Sequence, residues 1–178
     1  MQLGFDPARL VFIDESGAKT NMTRLRGRAL RGERVYASTP HGHWHTTTMI
    51  SSIRVDGSAA CMAIDGATDT EVFRAYVAHV LCPSLRPRDL VIMDNLSPHK
   101  SGPTIELIEA AGAHVLFLPA YSPDLNPIEK MLSKVKGSLR AAEARTHQAL
   151  LKAMGEALAE VTRQDAMNWF ASCGYSFI

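Results

Sequence analysis

Three apolar runs constrain this chain more than any other feature: "LVFIDES" (Leu10–Ser16), "DLVIMDN" (Asp89–Asn95) and "HVLFLP" (His114–Pro119). Each is too short for a stable helix and too continuously apolar for a half-exposed strand, so each reads as a strand buried on both faces. The first two end in acids. Between the first and second, "HWHTTTMISSIRV" (His43–Val55) and "SAACMAI" (Ser58–Ile64) flank Asp56-Gly57. Asp-Gly between two β-prone runs is the strongest short hairpin signal. The stretch from Lys19 to Pro40 reads as irregular chain or a short extra strand.

The period then changes. "TDTEVFRAYVAHVLCPSL" places Val72, Phe73, Tyr76, Val77, Val80 and Leu81 on one helical face, and Thr68 with Glu71 has the spacing of a capping box. "PTIELIEAAG" predicts a helix with Gly112 just past its end. Another helix is expected from about Pro127 to Glu143, and a last helical segment from near Thr146, broken around Thr162. The order strand, hairpin, helix, strand, helix, strand, helix implies a mixed sheet, with an antiparallel hairpin beside parallel strands, flanked by helices. That is an α/β domain.

At 178 residues, 46% of them hydrophobic, the chain suits a single domain with its own core, with the helices beyond about 146 appended. No run approaches the roughly 20 apolar residues of a membrane span, and no basic-then-apolar leader is visible. Cys61, Cys82 and Cys173 are distant, odd in number and without a CxxC pair, which disfavours a disulfide framework or zinc knuckle and fits a reducing, cytoplasmic setting.

The two strand-terminal acids, Asp14 and Asp94, come together if their strands are neighbours, because sites in α/β sheets gather at the carboxyl ends of strands. Close carboxylates repel one another unless a cation lies between them. A hard divalent ion with oxygen ligands, such as Mg²⁺ or Mn²⁺, meets that need. Glu129 is a candidate third ligand. It also has a structural reading: Asn126-Pro127-Ile128-Glu129 is close to a capping box, worth about 1 kcal/mol. Along the helix that follows, Glu129, Ser133, Lys136 and Arg140 form a polar row distinct from the apolar stripe of Ile128, Met131 or Leu132, Val135 and Leu139. Glu15 follows Asp14 but points to the opposite face of its strand. Asp65 is explained by a turn. "HGHWH" (His41–His45) lacks the acid or cysteine of a zinc set and suits a strand-edge or DNA-facing role.

Net charge is only +1, but it is unevenly spread. Lys19, Arg24, Arg26, Arg28, Arg31 and Arg34 face the single acid Glu33, and Lys130, Lys134, Lys136 and Arg140 make a second basic cluster. Both patches suit phosphate contacts, and both equally suit a solvated surface.

"FIDES", "VIMDNLSPHK" and "LPAYSPDLNPIEKMLSKVKGSLR" resemble the bacterial insertion-sequence transposases related to the mariner superfamily. The resemblance runs from about Val11 to Tyr175. Its most specific part is Asp-Asn-x-x-x-His followed by Tyr-Ser-Pro-x-Leu-Asn-Pro-Ile-Glu, and the 34 residues between Asp94 and Glu129 match the family spacing. It implies a ribonuclease H-like domain whose Asp–Asp–Glu triad, here Asp14, Asp94 and Glu129, binds two Mg²⁺ or Mn²⁺ ions. The implied activity is cleavage of DNA ends followed by strand transfer to a target. Asn95 and His99 belong to the same segment as supporting residues. Asn95 would orient Asp94 or contact DNA, and His99 would approach the scissile phosphate or hold the local structure. Arg24, Arg26, Arg28, Arg31, Lys130, Lys134, Lys136 and Arg140 would bind DNA. Family members usually carry helix-turn-helix modules ahead of this domain, but the first strand begins about ten residues from Met1. A separate polypeptide supplying that module, and a homodimer, are therefore further expectations. The alternatives are a nuclease or resolvase of the same fold that joins no strands, and an inactive DNA-binding remnant.

Overall fold

A computed structural model describes residues 6–42 and 44–175. Five strands form one sheet: β1 (Leu10–Lys19), β2 (Thr46–Ile53), β3 (Cys61–Asp65), β4 (Leu90–Met93) and β5 (His114–Phe117), in the order β3-β2-β1-β4-β5. β1 pairs antiparallel with β2 and parallel with β4. β2–β3 is antiparallel and β4–β5 parallel. This is the mixed, helix-flanked sheet that the run order implies. The first run extends further than its apolar part, because the antiparallel ladder with β2 continues to the Lys19–Thr46 pair. Residues 20–45 form no strand among those described. Their polar, arginine-rich sequence offers no apolar alternation to bury.

Alternation along β1 sorts the core into two layers. Leu10 and Phe12 face α3 (Pro127–Ala142), α4 (His147–Ala159) and α5 (Arg163–Ser172). Val11 and Ile13 face α1 (Thr70–Tyr76), its π-helical continuation Val77–Leu81, and α2 (Gly102–Ala110). α3 buries Ile128, Met131, Leu132, Val135 and Leu139, the expected stripe. At about 1.5–3 kcal/mol per fully buried apolar side chain, that face alone fixes the helix on the sheet. Leu150, Ala153, Met154, Ala157, Ala166 and Phe170 join the same cluster, and the Phe170 ring meets Phe12 edge-on at 5.3 Å. The C-terminal helices therefore share the sheet's core.

Local chemistry departs from expectation at two helix starts. α1 is capped by Asp69, whose side chain accepts from the Val72 N–H, and not by Thr68, whose buried hydroxyl has no partner among the described residues. The carboxylate is the better acceptor one residue nearer the helix. At α3, Asn126 occupies the N-cap position without a side-chain cap bond, and its amide turns away from the helix. The break near Thr162 is a true capping box, Thr162 with Asp165. The β2–β3 turn holds Asp56-Gly57 in a loop closed by Arg54 and Ser58, one residue longer than the two-residue form. Gly57 has φ +86, and a Cβ there would lie 3.0 Å from the Arg163 backbone, so only glycine fits where the turn abuts α5.

Candidate active site

The parallel pairing of β1 with β4 decides where the acids meet. Phe12 pairs with Ile92, and Asp14 and Asp94 each lie two residues further on, at the same end of the sheet. α3 docks against β1 with Glu129 in its first turn. Two adjoining cavities result. One, of about 420 Å³, is bordered by Asp94, Asn95, Tyr121, Asn126 and Glu129. The other, of about 320 Å³, is bordered by Asp14, Glu15, Glu129, Ser133, Lys136 and Arg140. Glu129 borders both, so the three acids expected from sequence share one cleft.

Each acid is held differently. The Asp14 Oδ1 accepts from the Glu15 backbone N–H at 2.7 Å, and its Oδ2 accepts from the Asn126 amide at 3.4 Å. Burial is the main influence on its carboxyl. Opposed by the Glu15 N–H and reinforced by the carboxylates of Asp94 and Glu129, burial pushes the pKa up to about 6. The Asp94 Oδ1 accepts from the Leu96 backbone N–H at 3.0 Å and from His99 Nδ1 at 2.6 Å, while its Oδ2 takes no hydrogen bond among the described residues. The Glu129 carboxylate is exposed and makes no side-chain bond among them either. It is not part of a capping box, because Asn126 has turned to Asp14.

The supporting residues separate. Asn95 donates to the Leu118 carbonyl, which ties the end of β4 to the loop after β5. His99 is completely buried and packs against Phe73, with ring centroids 4.3 Å apart and the planes tilted by 38°. It supports Asp94 from within the fold, out of reach of a phosphate. Burial disfavours its charge, but Glu15 and Asp94 outweigh that and raise its pKa. Glu15 sits on the opposite face of β1 from Asp14, as alternation requires, yet its Oε2 comes within 3.7 Å of His99 Nε2. Period-two reasoning sets it aside, because the fold brings His99 round the end of the sheet, and no local signal announces that. Asp65 lies on β3 at the sheet edge, 3.8 Å from His45 in an exposed pair. His43 falls outside the described residues.

The cations also divide. Lys136 and Arg140 border the cavity of Asp14 and Glu129 and form no ion pair or side-chain hydrogen bond among the described residues. Lys130 and Lys134 point elsewhere. Lys130 donates to Ser172 at 2.6 Å, and Lys134 to Asp165 at 2.7 Å and the Glu160 carbonyl at 2.8 Å. Those bonds pin α5 to α3, so these two lysines face the helical layer and not the cleft. Arg24, Arg26, Arg28 and Arg31 are all exposed on the irregular segment after β1.

A five-stranded mixed sheet with helices on both faces and carboxylates gathered at the ends of its central parallel strands is the ribonuclease H-like architecture of transposase catalytic domains. The sequence model described as DDE superfamily endonuclease matches residues 9–151, and the chain belongs to that family. No curated protein matches it. Among solved structures, it is similar to the Mos1 strand transfer complex (TM-score 0.72, 19% identity, 93% of this chain and 52% of that one). It is also similar to the Mos1 transposase paired-end complex with left transposon end (TM-score 0.70, 20% identity, 96% and 57%). For the Mos1 transposase catalytic domain with raltegravir and Mn, the values are 0.66, 14%, 94% and 78%. At such identities the likeness is one of fold. The chain spans a little over half the length of the Mos1 chains in the two DNA-end complexes.

Proposed function

We propose that this chain is the catalytic domain of a DNA transposase that cleaves DNA and transfers strands with the help of divalent cations. The observation that carries the reading is the convergence of Asp14, Asp94 and Glu129 on one cleft beside Lys136 and Arg140.

A metal fits the donor set. The acids offer only oxygen, as Mg²⁺ and Mn²⁺ prefer. Asp14 is costly to ionise where it stands, a cost a nearby cation would remove. Among the described residues no three His, Cys, Asp or Glu side chains stand close enough to hold an ion as they are, so binding requires the carboxylates to draw together. Mos1 complexes have been solved with Mg and with Mn. When bound, divalent cations supply the Lewis acidity for in-line phosphoryl displacement by water or a 3′-hydroxyl. The chain's own residues set the stage for it. Asn126 orients Asp14. His99 and the Leu96 N–H fix one oxygen of Asp94 and leave the other facing the cleft. α3 carries Glu129 on a rigid helix, and Lys136 and Arg140, about two and three turns along, hold DNA phosphates and set register. The arginines of residues 24–31 add further phosphate contacts. We assign the partners as transposon-end and target DNA and a second copy of the chain. The setting is cytoplasmic, and among the described residues no helix is long and apolar enough to cross a membrane.

The test is a nicking assay on supercoiled DNA with Mg²⁺ or Mn²⁺. Asp94→Asn is expected to abolish cleavage while leaving the circular dichroism spectrum intact; undiminished cleavage by that variant overturns the assignment. A pre-cleaved 3′ end offered with target DNA then separates a transposase from a simple nuclease, since only the former joins the strands.

A further inference from the structure

The core layer between β1 and α1 ends in a polar pair that packing does not explain. Glu15 lies on the α1 face of β1, where its neighbours Val11 and Ile13 are wholly buried. Its Oε1 is buried without a hydrogen-bond partner among the described residues, and so is His99 Nε2. Nε2 and Oε2 stand 3.7 Å apart, an ion-pair contact too long for a hydrogen bond. Half-satisfied buried charges of this kind add little stability, and an apolar pair would pack better. At its other nitrogen, however, His99 makes the 2.6 Å bond to Asp94 Oδ1. A carboxylate accepts, so Nδ1 carries the hydrogen. Phe73 fixes the plane of the ring from below.

We propose that Glu15 and His99 are positioning residues that reach from the opposite face of the sheet and lock the Asp94 carboxylate for cation binding. Glu15 approaches the ring at Nε2 while Nδ1 reaches Asp94, so the imidazole is bracketed between the two carboxylates. Phe73 prevents the ring from flipping. Asp94 Oδ1 is held by His99 and Leu96, and Oδ2 is presented to the cleft in one orientation. This is the outer-shell arrangement that orients metal-binding groups, and its loss costs about 10–100-fold in metal affinity or activity. The inference rests on the reading of Asp94 as a metal ligand.

The experiment uses the whole chain and Mn²⁺ alone as probe. Binding is followed by calorimetry and by the rise in Tm over the same protein in EDTA, with DNA nicking measured in parallel. Glu15→Gln and His99→Leu are expected to weaken Mn²⁺ binding about 10–100-fold. The Tm of Glu15→Gln in EDTA should stay at or above that of the unaltered protein, and DNA affinity without metal should not change. His99→Asn, which keeps a donor near the place of Nδ1, is expected to recover part of the loss seen in His99→Leu. If Glu15→Gln binds Mn²⁺ as the unaltered protein does, or loses Tm in EDTA without losing Mn²⁺ affinity, the pair is structural and the proposal falls. Asp94→Asn distinguishes the two levels. If it abolishes Mn²⁺ binding while Glu15→Gln leaves binding intact, only the positioning role fails. If it binds Mn²⁺ normally, the metal-ligand reading and this inference fail together.

Discussion

Asp14 shows how much of the cleft's chemistry lies in single side chains. Its carboxyl is raised from 3.8 to about 6, first by burial and then by the facing acids. A native pKa above the unfolded one means that the folded state binds the proton more tightly. The contribution of Asp14 to stability is therefore greatest below about pH 4, falls as the pH rises through about 6, and stays reduced above that. Asp14→Asn should accordingly be more stable than the unaltered protein in EDTA at pH 7.5, on the order of 1–3 kcal/mol, several degrees of Tm. The two should converge near pH 4, which thermal melts across that range would check. The neighbouring placement of Asp14 and Asp94 was legible in the sequence because each follows an apolar run that marks a strand, although β1 continues past Asp14 to Lys19. Glu129 was legible only as one of two possibilities, a cap or a ligand. The orientation of the Asn126 amide removes the capping box, and no pattern of residues encodes it. Glu15 was invisible for a related reason. Alternation correctly gives its face, but the route of His99 round the sheet is tertiary.

Among the elements, α5 is the most dependent on specific contacts. It begins with a capping box, is tied by Lys134 to α3, and drives Phe170 against Phe12. Phe170→Ala should cost about 3–5 kcal/mol in urea unfolding, the usual cost of removing a buried aromatic ring. Asp165 carries the polar side of the same anchor. The Lys134 ammonium, followed by the Thr162 N–H and hydroxyl, lowers its pKa from 3.8 to about 2. A lowered acid pKa stabilises the fold above the unfolded value and ceases to do so as the pH falls through the native one. Unfolding measurements on Asp165→Asn should thus show a deficit that is constant above about pH 4 and closes toward pH 2. The break at Thr162 was readable because a Thr-x-x-Asp spacing is a local signal. The capping of α1 by Asp69 was not, since Thr68 and Asp69 are adjacent and either spacing looks plausible on paper.

At the scale of the whole molecule, charge and connectivity carry the proposed DNA binding. Binding should weaken steeply with salt, because released counterions dominate the free energy. Lys136→Ala and Arg140→Ala should each reduce the slope of log K against log salt by about one. Lys134→Ala should leave that slope unchanged, since its ammonium already faces Asp165; fluorescence anisotropy over a range of salt would tell. The sheet order was half legible. Strand and helix alternation implied parallel neighbours and Asp-Gly implied a hairpin, yet the placing of β1 between β2 and β4 depends on burial across the full sheet. The fit of Gly57 against the Arg163 backbone carries a consequence in time. A turn made early in synthesis finds its neighbour only when the start of α5 has left the ribosome, roughly a hundred residues later. Until then the β2–β3 hairpin stands half supported, and the backbone it must fit against does not yet exist.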